Sequence, residues 1–277
     1  MNLKEKENTL EKILHETSPV VIAFSGGVDS SYLAFKAYEV LGDQALAVLA
    51  ESPSVSSNQK QMADRVISQI GIPFRRIQSH ELEIDAYKMN PSDRCYYCKS
   101  ELFSRLKQIA EEYSFATILD GFNADDLDDF RPGRMAGKEH NVRSPLMEAG
   151  LTKAEIRELS KRAELPTADQ PASACLASRL PYGVSITEEK LKTIDEGEEW
   201  LRGLGFKIFR VRHHEHLVRL EFGPEEMPMA LNPKMARQLA ARFKTLGYKF
   251  VTIDLEGYRS GSANEVLQNS EKEKFNV

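Results

Sequence analysis

The sequence predicts an α/β protein, a parallel sheet with helices on both faces, followed by a smaller α+β domain. Three observations carry this reading. Short β-rich apolar runs alternate with longer stretches of helical spacing through the first part of the chain. Polar, Gly- and Ser-rich segments follow directly on those runs. After residue 183 the pattern changes to closely spaced strand-like segments and one further helix.

Taken in order, Leu3, Leu10, Ile13 and Leu14 form one stripe of an opening amphipathic helix. Residues 20–24 are a continuous apolar run, as expected of a strand buried on both faces. SSYLAFKAYEVLG then carries Leu33, Ala37 and Val40 at helical spacing until Gly42 stops it. Residues 45–50 supply a second strand. Residues 58–70 make a helix with Met62, Val66 and Ile70 on one face, and residues 73–77 a third strand. A helix at 101–113 and an apolar run at 116–119 complete the series. In such a sheet, ligands collect beyond the carboxyl ends of the strands. Three polar segments stand there: SGGVDSS (25–31), ESPSVSS (51–57) and DGFNADDLDD (120–129).

ASACLASRLPYG (172–183) reads as the link, giving a first domain at 1–183 and a second at 184–265. Strands are expected in FKIFRVRHH (206–214), LVRLEF (217–222) and 249–254, and a helix at 234–246, with Trp200 as a packing residue of the helix before them. Residues 266–277, ending SEKEKFNV, read as a flexible tail.

With 277 residues, 41% of them hydrophobic, the chain can bury a substantial core. Lys and Arg number 37 against 42 Asp and Glu, a net charge of −5, which disfavours nucleic acid as a partner. No apolar run approaches the roughly 18 residues of a membrane span, and the first residues lack the apolar core of a signal peptide. A cytoplasmic protein that avoids membranes is expected. The three cysteines, Cys95, Cys98 and Cys175, are an odd number in a chain too large to need disulfides. Metal binding or sulfur chemistry is the better question.

SGGVDSS is built to hold an anion. Gly26 and Gly27 let backbone N–H groups face a ligand, and the helix that follows adds its positive end. Ser25, Ser30 and Ser31 add hydroxyls, and Asp29 can cap the helix or hold Mg²⁺ between phosphates. The lysine and spacing of a Walker A loop are absent. After a strand, the string instead resembles the pyrophosphatase-type P-loop of the adenine-nucleotide alpha hydrolase-like superfamily, whose members cleave ATP between its α and β phosphates.

A more specific resemblance spans nearly the whole chain. It lies in RCYYCKSELF (94–103), DGFNADDLDDFRPGRMA (120–136), SPLMEAGLTKAEIREL (144–159), ACLASRLPYG (174–183) and DLEGYRSGSAN (254–264). Together these resemble the LarE family, ATP-dependent sulfur transferases that make the thiocarboxylate precursor of the nickel-pincer nucleotide cofactor. The resemblance implies ATP, Mg²⁺ and the substrate pyridinium-3,5-biscarboxylic acid mononucleotide, with the other nickel-pincer biosynthesis proteins as pathway partners and a homo-oligomer. The chemistry is coherent. A carboxylate is a poor electrophile until adenylylation gives it a phosphate monoester as leaving group, after which sulfur can displace AMP.

Two sulfur sources are open in the family. In one branch a cysteine matching Cys175 gives up its own sulfur; in another, three cysteines hold a 4Fe-4S cluster. Cys95 and Cys98 form a C-x-x-C, a pattern shared with zinc, redox and structural sites, and Cys175 is placed as third ligand. Three thiols with no fourth suit a cluster with one open iron better than a closed zinc site. Beside Cys175, Ser178 and Arg179 are candidates to orient a thiolate or phosphate.

Ser52, Gly121 and Asp125 are the remaining candidates at the nucleotide edge, Asp125 for Mg²⁺ or ribose and Ser52 for adenine or ribose unless it only starts a turn. Asp126, Asp128 and Asp129 crowd the same segment. In the second domain Arg210 and Arg212 share one strand face and, by the resemblance, grip the substrate's anionic groups; an exposed charged face is the alternative. Glu221 could serve the same pocket or a metal. His213, His214 and His216 alternate faces and read as surface residues. A tRNA thiolation enzyme is the competing class, but those relatives commonly show SGGKDS, and Val28 stands at the lysine position. A nucleotide sensor without catalysis would need neither Cys175 nor the arginine pair.

Overall fold

The structure, a computed structural model, describes residues 1–127, 132–171, 174–259 and 261–267. Helix α1 (Leu3–Thr17) begins in a capping box between Asn2 and Glu5 and buries Leu10, Ile13 and Leu14. There follow β1 (Val20–Ala23), α2 (Val28–Leu41), β2 (Ala45–Glu51), α3 (Ser57–Ile70), β3 (Phe74–Gln78), the single turn α4 (Asp85–Lys88), α5 (Arg94–Tyr113) and β4 (Thr117–Leu119). Three shorter helices, α6 (Gly133–Glu139), α7 (Pro145–Glu148) and α8 (Lys153–Arg162), close the first part.

The four strands form a parallel sheet in the order β3-β2-β1-β4, with Val20 opposite Ala45 and Thr117. Alternation along β1 explains the two-sided covering. Val20 and Ile22 join Leu10, Leu14, Leu33, Ala37, Ile156 and Leu159 in a core under α1, α2 and α8. Val21 and Ala23 turn the other way, into Phe103, Leu106 and Ile109 of α5.

The second part holds α9 (Glu188–Gly203), β5 (Phe209–His214), β6 (Leu217–Phe222), α10 (Met227–Leu231), α11 (Pro233–Thr245) and β7 (Phe250–Ile253). β5 and β6 pair antiparallel and β7 joins β6 in parallel, a mixed sheet covered by α9 and α11. Trp200 packs edge-on against Phe243 of α11, as expected of a packing residue. The core of this sheet also takes in Tyr87, Leu176, Ala177 and Leu180, so the turn containing Cys175 is anchored in it from the first part of the chain.

Two differences from the sequence reading bear on the site. The helix expected at 101–113 starts at Arg94, because the polar and aromatic string RCYYCKS carries no apolar stripe to reveal its first two turns. His213 is not a surface residue: it is buried, with its Nδ1 2.9 Å from the hydroxyl of Tyr248. Strand alternation separated the histidines correctly, but β5 is covered on both faces, so neither side guaranteed solvent. Asp128, Asp129 and residues 268–277 of the expected tail lie outside the described residues; within that tail, Leu267 is buried. No described helix is long and apolar enough to cross a membrane.

Candidate active site

The loop between β1 and α2 is shaped by its glycines. Gly26 sits at φ +72°, and a Cβ there would lie 2.9 Å from the Cβ of Ala63 and 3.1 Å from its backbone nitrogen, so both conformation and space demand glycine. Gly27 is the N-cap of α2 and offers no capping side chain, leaving the first N–H groups of the helix for a ligand. Around them the hydroxyls of Ser25 and Ser30 lie 3.0 Å apart, Ser30 donates to the Gly27 carbonyl, and Gln59 of α3 fixes the Ser25 carbonyl at 2.9 Å. Gly121, at the end of β4, approaches so closely that a Cβ would stand 3.1 Å from the Ser30 nitrogen. The sequence candidates Ser25, Gly26, Gly27, Asp29, Ser30 and Gly121 therefore converge on one helix N-terminus.

Asp29 is the charged member. One carboxylate oxygen pairs with the Lys153 ammonium, while Oδ1 is buried with no hydrogen-bond partner. Burial pushes its pKa above the ordinary value, with Lys153 pulling the other way. An orphaned carboxylate oxygen beside a phosphate-shaped loop fits a Mg²⁺ ligand. Asp125 is exposed, and its Oδ2 accepts the backbone N–H of Lys153 at 2.9 Å, so Lys153 links both aspartates. Asp126 is buried and accepts the Asn123 N–H. The Ser52 hydroxyl accepts the N–H of Ser54, the turn-starting role; the residue also lines an open cavity of about 310 Å³ with Val55, Lys60 and Asp195.

Cys175 stands where the two parts of the chain meet. The next residue, Leu176, donates its N–H to the Ser54 carbonyl at 2.8 Å, which ties the cysteine turn to the segment beyond β2. Cys98 and Cys175 both pack on the second core. Cys95 is exposed, one turn from Cys98 at the start of α5. The three thiols and the buried Arg94 are electrostatic neighbours. Burial, and then Glu81, push the Cys98 thiol well up. Three thiols without a fourth are a suitable donor set for a 4Fe-4S cluster. Their present spacing is not: among the described residues, no three His, Cys, Asp or Glu side chains converge closely enough to hold a metal ion.

Arg179 does not reach toward the thiol. Its guanidinium grips both carboxylate oxygens of buried Glu198, at 2.8 and 3.0 Å, and donates to the carbonyls of Ala174 and Cys175 and to the Ser178 hydroxyl. It orients the cysteine turn through the backbone carbonyls of Ala174 and Cys175 and through Ser178. From the other side Arg212 donates to the Ser178 carbonyl at 2.9 Å while holding Glu221 in a fork, 2.9 Å on each arm. With both oxygens so engaged, and Arg219 3.2 Å from one of them, Glu221 positions Arg212; the metal role considered for it does not fit. Arg210 lies over the Tyr258 ring at 4.6 Å, and burial and the nearby Arg179 lower its pKa. Arg212 thus faces the cysteine turn, while Arg210 faces Tyr258.

Two residues were missed in the sequence. Lys153 and Arg94 each occupy the first position of a helix, α8 and α5, where the helix dipole disfavours a cation. That unfavourable placement is the one local signal of a site-specific role.

Known proteins resemble this chain over much of its length. Residues 2–120 match the sequence model of the NAD synthase family. A pyridinium-3,5-bisthiocarboxylic acid mononucleotide synthase of Lactiplantibacillus plantarum is 34% identical over 99% of this chain and 99% of its own. An uncharacterized protein of Synechocystis sp. is 42% identical over 96% of this chain and 99% of its own. An uncharacterized protein of Methanocaldococcus jannaschii is 32% identical over 93% of this chain and 97% of its own.

Proposed function

The chain belongs to the LarE family of ATP-dependent sulfur transferases, and we propose that it adenylylates the carboxylates of pyridinium-3,5-biscarboxylic acid mononucleotide and replaces AMP with sulfur, giving thiocarboxylates for the nickel-pincer cofactor. One observation supports this above the others. The Cys175 turn is tied to Ser54, at the strand-end edge that also carries the glycine loop, and to Arg212 through Ser178. The cysteine turn is thereby joined by single contacts to the segment beyond β2 and to an arginine of β5.

In this reading the uncapped N–H groups of α2 and the Ser25 and Ser30 hydroxyls bind the ATP phosphates. The Asp29 oxygen left unpaired would hold Mg²⁺, which would offset negative charge on the phosphates. A substrate carboxylate attacks the α-phosphorus, the bond to pyrophosphate breaks, and an acyl-adenylate results. Sulfur then attacks the acyl carbon and AMP leaves with the electron pair of the broken C–O bond. Arg210 and Arg212 orient the substrate's anionic groups, with Arg212 held by Glu221.

For the sulfur, we favour a 4Fe-4S cluster, which Cys95, Cys98 and Cys175 would hold and which would supply an iron open to sulfide. Sacrifice of Cys175 itself is the second reading, favoured by the thiols' separation in this structure. Pyrophosphate release tests the first half-reaction: it should require the dicarboxylate mononucleotide, and release that ignores this substrate would refute the assignment. Iron and sulfide assay after anaerobic purification, together with the protein's mass after turnover, separates the two sulfur sources. A cluster leaves the mass unchanged, whereas sacrifice removes the elements of H₂S from Cys175.

A further inference from the structure

Residues 176–186 are gripped at both ends by the segment that precedes α5. Asn90 supplies most of the hold. It is fully buried, its Nδ2 donates to the carbonyls of Pro181 at 2.8 Å and Val184 at 3.0 Å, and its own carbonyl accepts the N–H of Gly183 at 2.9 Å. Beside it, the carbonyl of Lys88 accepts the N–H of Ile186 at 2.8 Å. At the other end, the hydroxyl of buried Tyr87 lies 2.8 Å from that of Ser54, whose carbonyl accepts the N–H of Leu176, next to Cys175. Just beyond Asn90, α5 begins with Arg94, Cys95 and Cys98, and the Arg94 guanidinium lies 4.8 Å from the ring centre of Tyr182. The stretch 87–94 therefore fastens the cysteine turn to the helix that carries the other two thiols. Asn90 holds this place at a cost. Its φ of +54° lies in the left-handed region, and its Oδ1 is buried with no hydrogen-bond partner. Strain and an orphaned oxygen at one residue mark a position where placement matters more than stability.

We propose that Asn90 is a positioning residue for sulfur transfer, setting the Cys175 turn in register with the start of α5 so that sulfur reaches the acyl carbon from a fixed place. This rests on the sulfur transfer proposed above and holds for either sulfur source. A cluster needs Cys175 registered against Cys95 and Cys98; sacrifice needs the Cys175 sulfur aligned with the acyl carbon. Among the described residues, the hydrogen bonds of Asn90 go to Tyr87, Pro181, Gly183 and Val184 and none to the glycine loop at α2. Its loss therefore separates the two half-reactions, sparing adenylylation and impairing the step that uses sulfur.

Two measurements test it, each on Asn90→Gly and Asn90→Asp, residues that both tolerate the left-handed backbone. Glycine removes the Nδ2 donor, and aspartate turns an oxygen toward the two carbonyls that Nδ2 served. In the first measurement, pyrophosphate release and thiocarboxylate formation are followed in the same reaction. Release should stay near the wild-type rate while thiocarboxylate formation falls by about a hundredfold, the effect of a misplacement of roughly 1 Å. Tyr87→Phe, which cuts the tie to Ser54, should shift the ratio the same way by a smaller factor. In the second, hydrogen–deuterium exchange is read by peptide mass. Residues 176–186 should exchange faster in both Asn90 variants, with residues 20–31 unchanged. An equal fall of both half-reactions overturns the proposal, since a merely destabilised protein loses them together. Unchanged thiocarboxylate formation in both variants, or faster exchange spread over the whole chain, also overturns it. If the wild-type protein makes no thiocarboxylate, the proposed function fails, while exchange at 176–186 still decides whether Asn90 holds the cysteine turn in register. Should Asn90→Asp fail to fold by circular dichroism, Asn90→Gly supplies both readings.

Discussion

Single residues decide whether the nucleotide loop can form. Gly26 was legible because a glycine pair between a strand and a helix points to a close backbone approach, and the structure supplies the reason in φ +72° and the 2.9 Å approach of Ala63. Replacing Gly26 by Val should force the loop away from α3, and pyrophosphate release should fall by a factor on the order of a hundred or more, with Asp29→Asn comparably impaired. Near-native release in both variants would dismiss the loop as the phosphate site. Lys153 was missed: its place at the first position of α8 is the one local mark, and in a charged helix a lysine otherwise looks like any other. Its ion pair with Asp29 gives a signed prediction. Burial raises the Asp29 pKa above 3.8 and Lys153 opposes that rise. Asp29 must be ionised to hold Mg²⁺, so Lys153→Met should move the acid limb of pyrophosphate release to higher pH. A limb that stays, or shifts to lower pH, contradicts the contact.

At the level of elements, the sequence showed most of the strands and long helices because apolar periodicity marks whatever packs on a core. It concealed the first turns of α5, where Arg94 is buried, Cys98 packs on the second core and Cys95 is exposed, so that no uniform apolar stripe forms. The turn 176–179 was likewise visible only as a link, although the buried Arg179–Glu198 pair fastens it to α9. Removing one partner leaves an unpaired buried charge, so Arg179→Ala should cost about 3–5 kcal/mol, seen as a lower Tm, and should loosen the Cys175 turn. Burial alone would raise the Glu198 pKa, but Arg179 outweighs it and holds that carboxyl below 4.5. A lowered folded-state value makes the contribution complete above about pH 4.5 and lost as pH falls through the folded pKa. Arg179→Ala and wild-type protein should therefore converge in stability under acid. Parallel curves down to strongly acidic pH would contradict the pairing.

The whole molecule places Cys175 at the seam between a parallel sheet and a mixed one. That seam was beyond the sequence reading, because pattern identifies layers but not which loops they bring together. Asp195 of α9 accepts from Ser57 at the start of α3, and the turn 174–180 packs into the second core while bonding to Ser54. The net charge of −5 bears on this scale too, as it argues against a phosphate backbone as the partner. Bulk tRNA should not bind at moderate salt, and tight binding that weakens steeply with salt would favour an RNA substrate. The central claim is tested most directly by the mass of the small-molecule product after incubation with ATP, Mg²⁺, sulfide and pyridinium-3,5-biscarboxylic acid mononucleotide. Replacement of carboxylate oxygen by sulfur, with one AMP and one pyrophosphate formed for each sulfur gained, is the predicted result; ATP cleavage that leaves the dicarboxylate free of sulfur would contradict it.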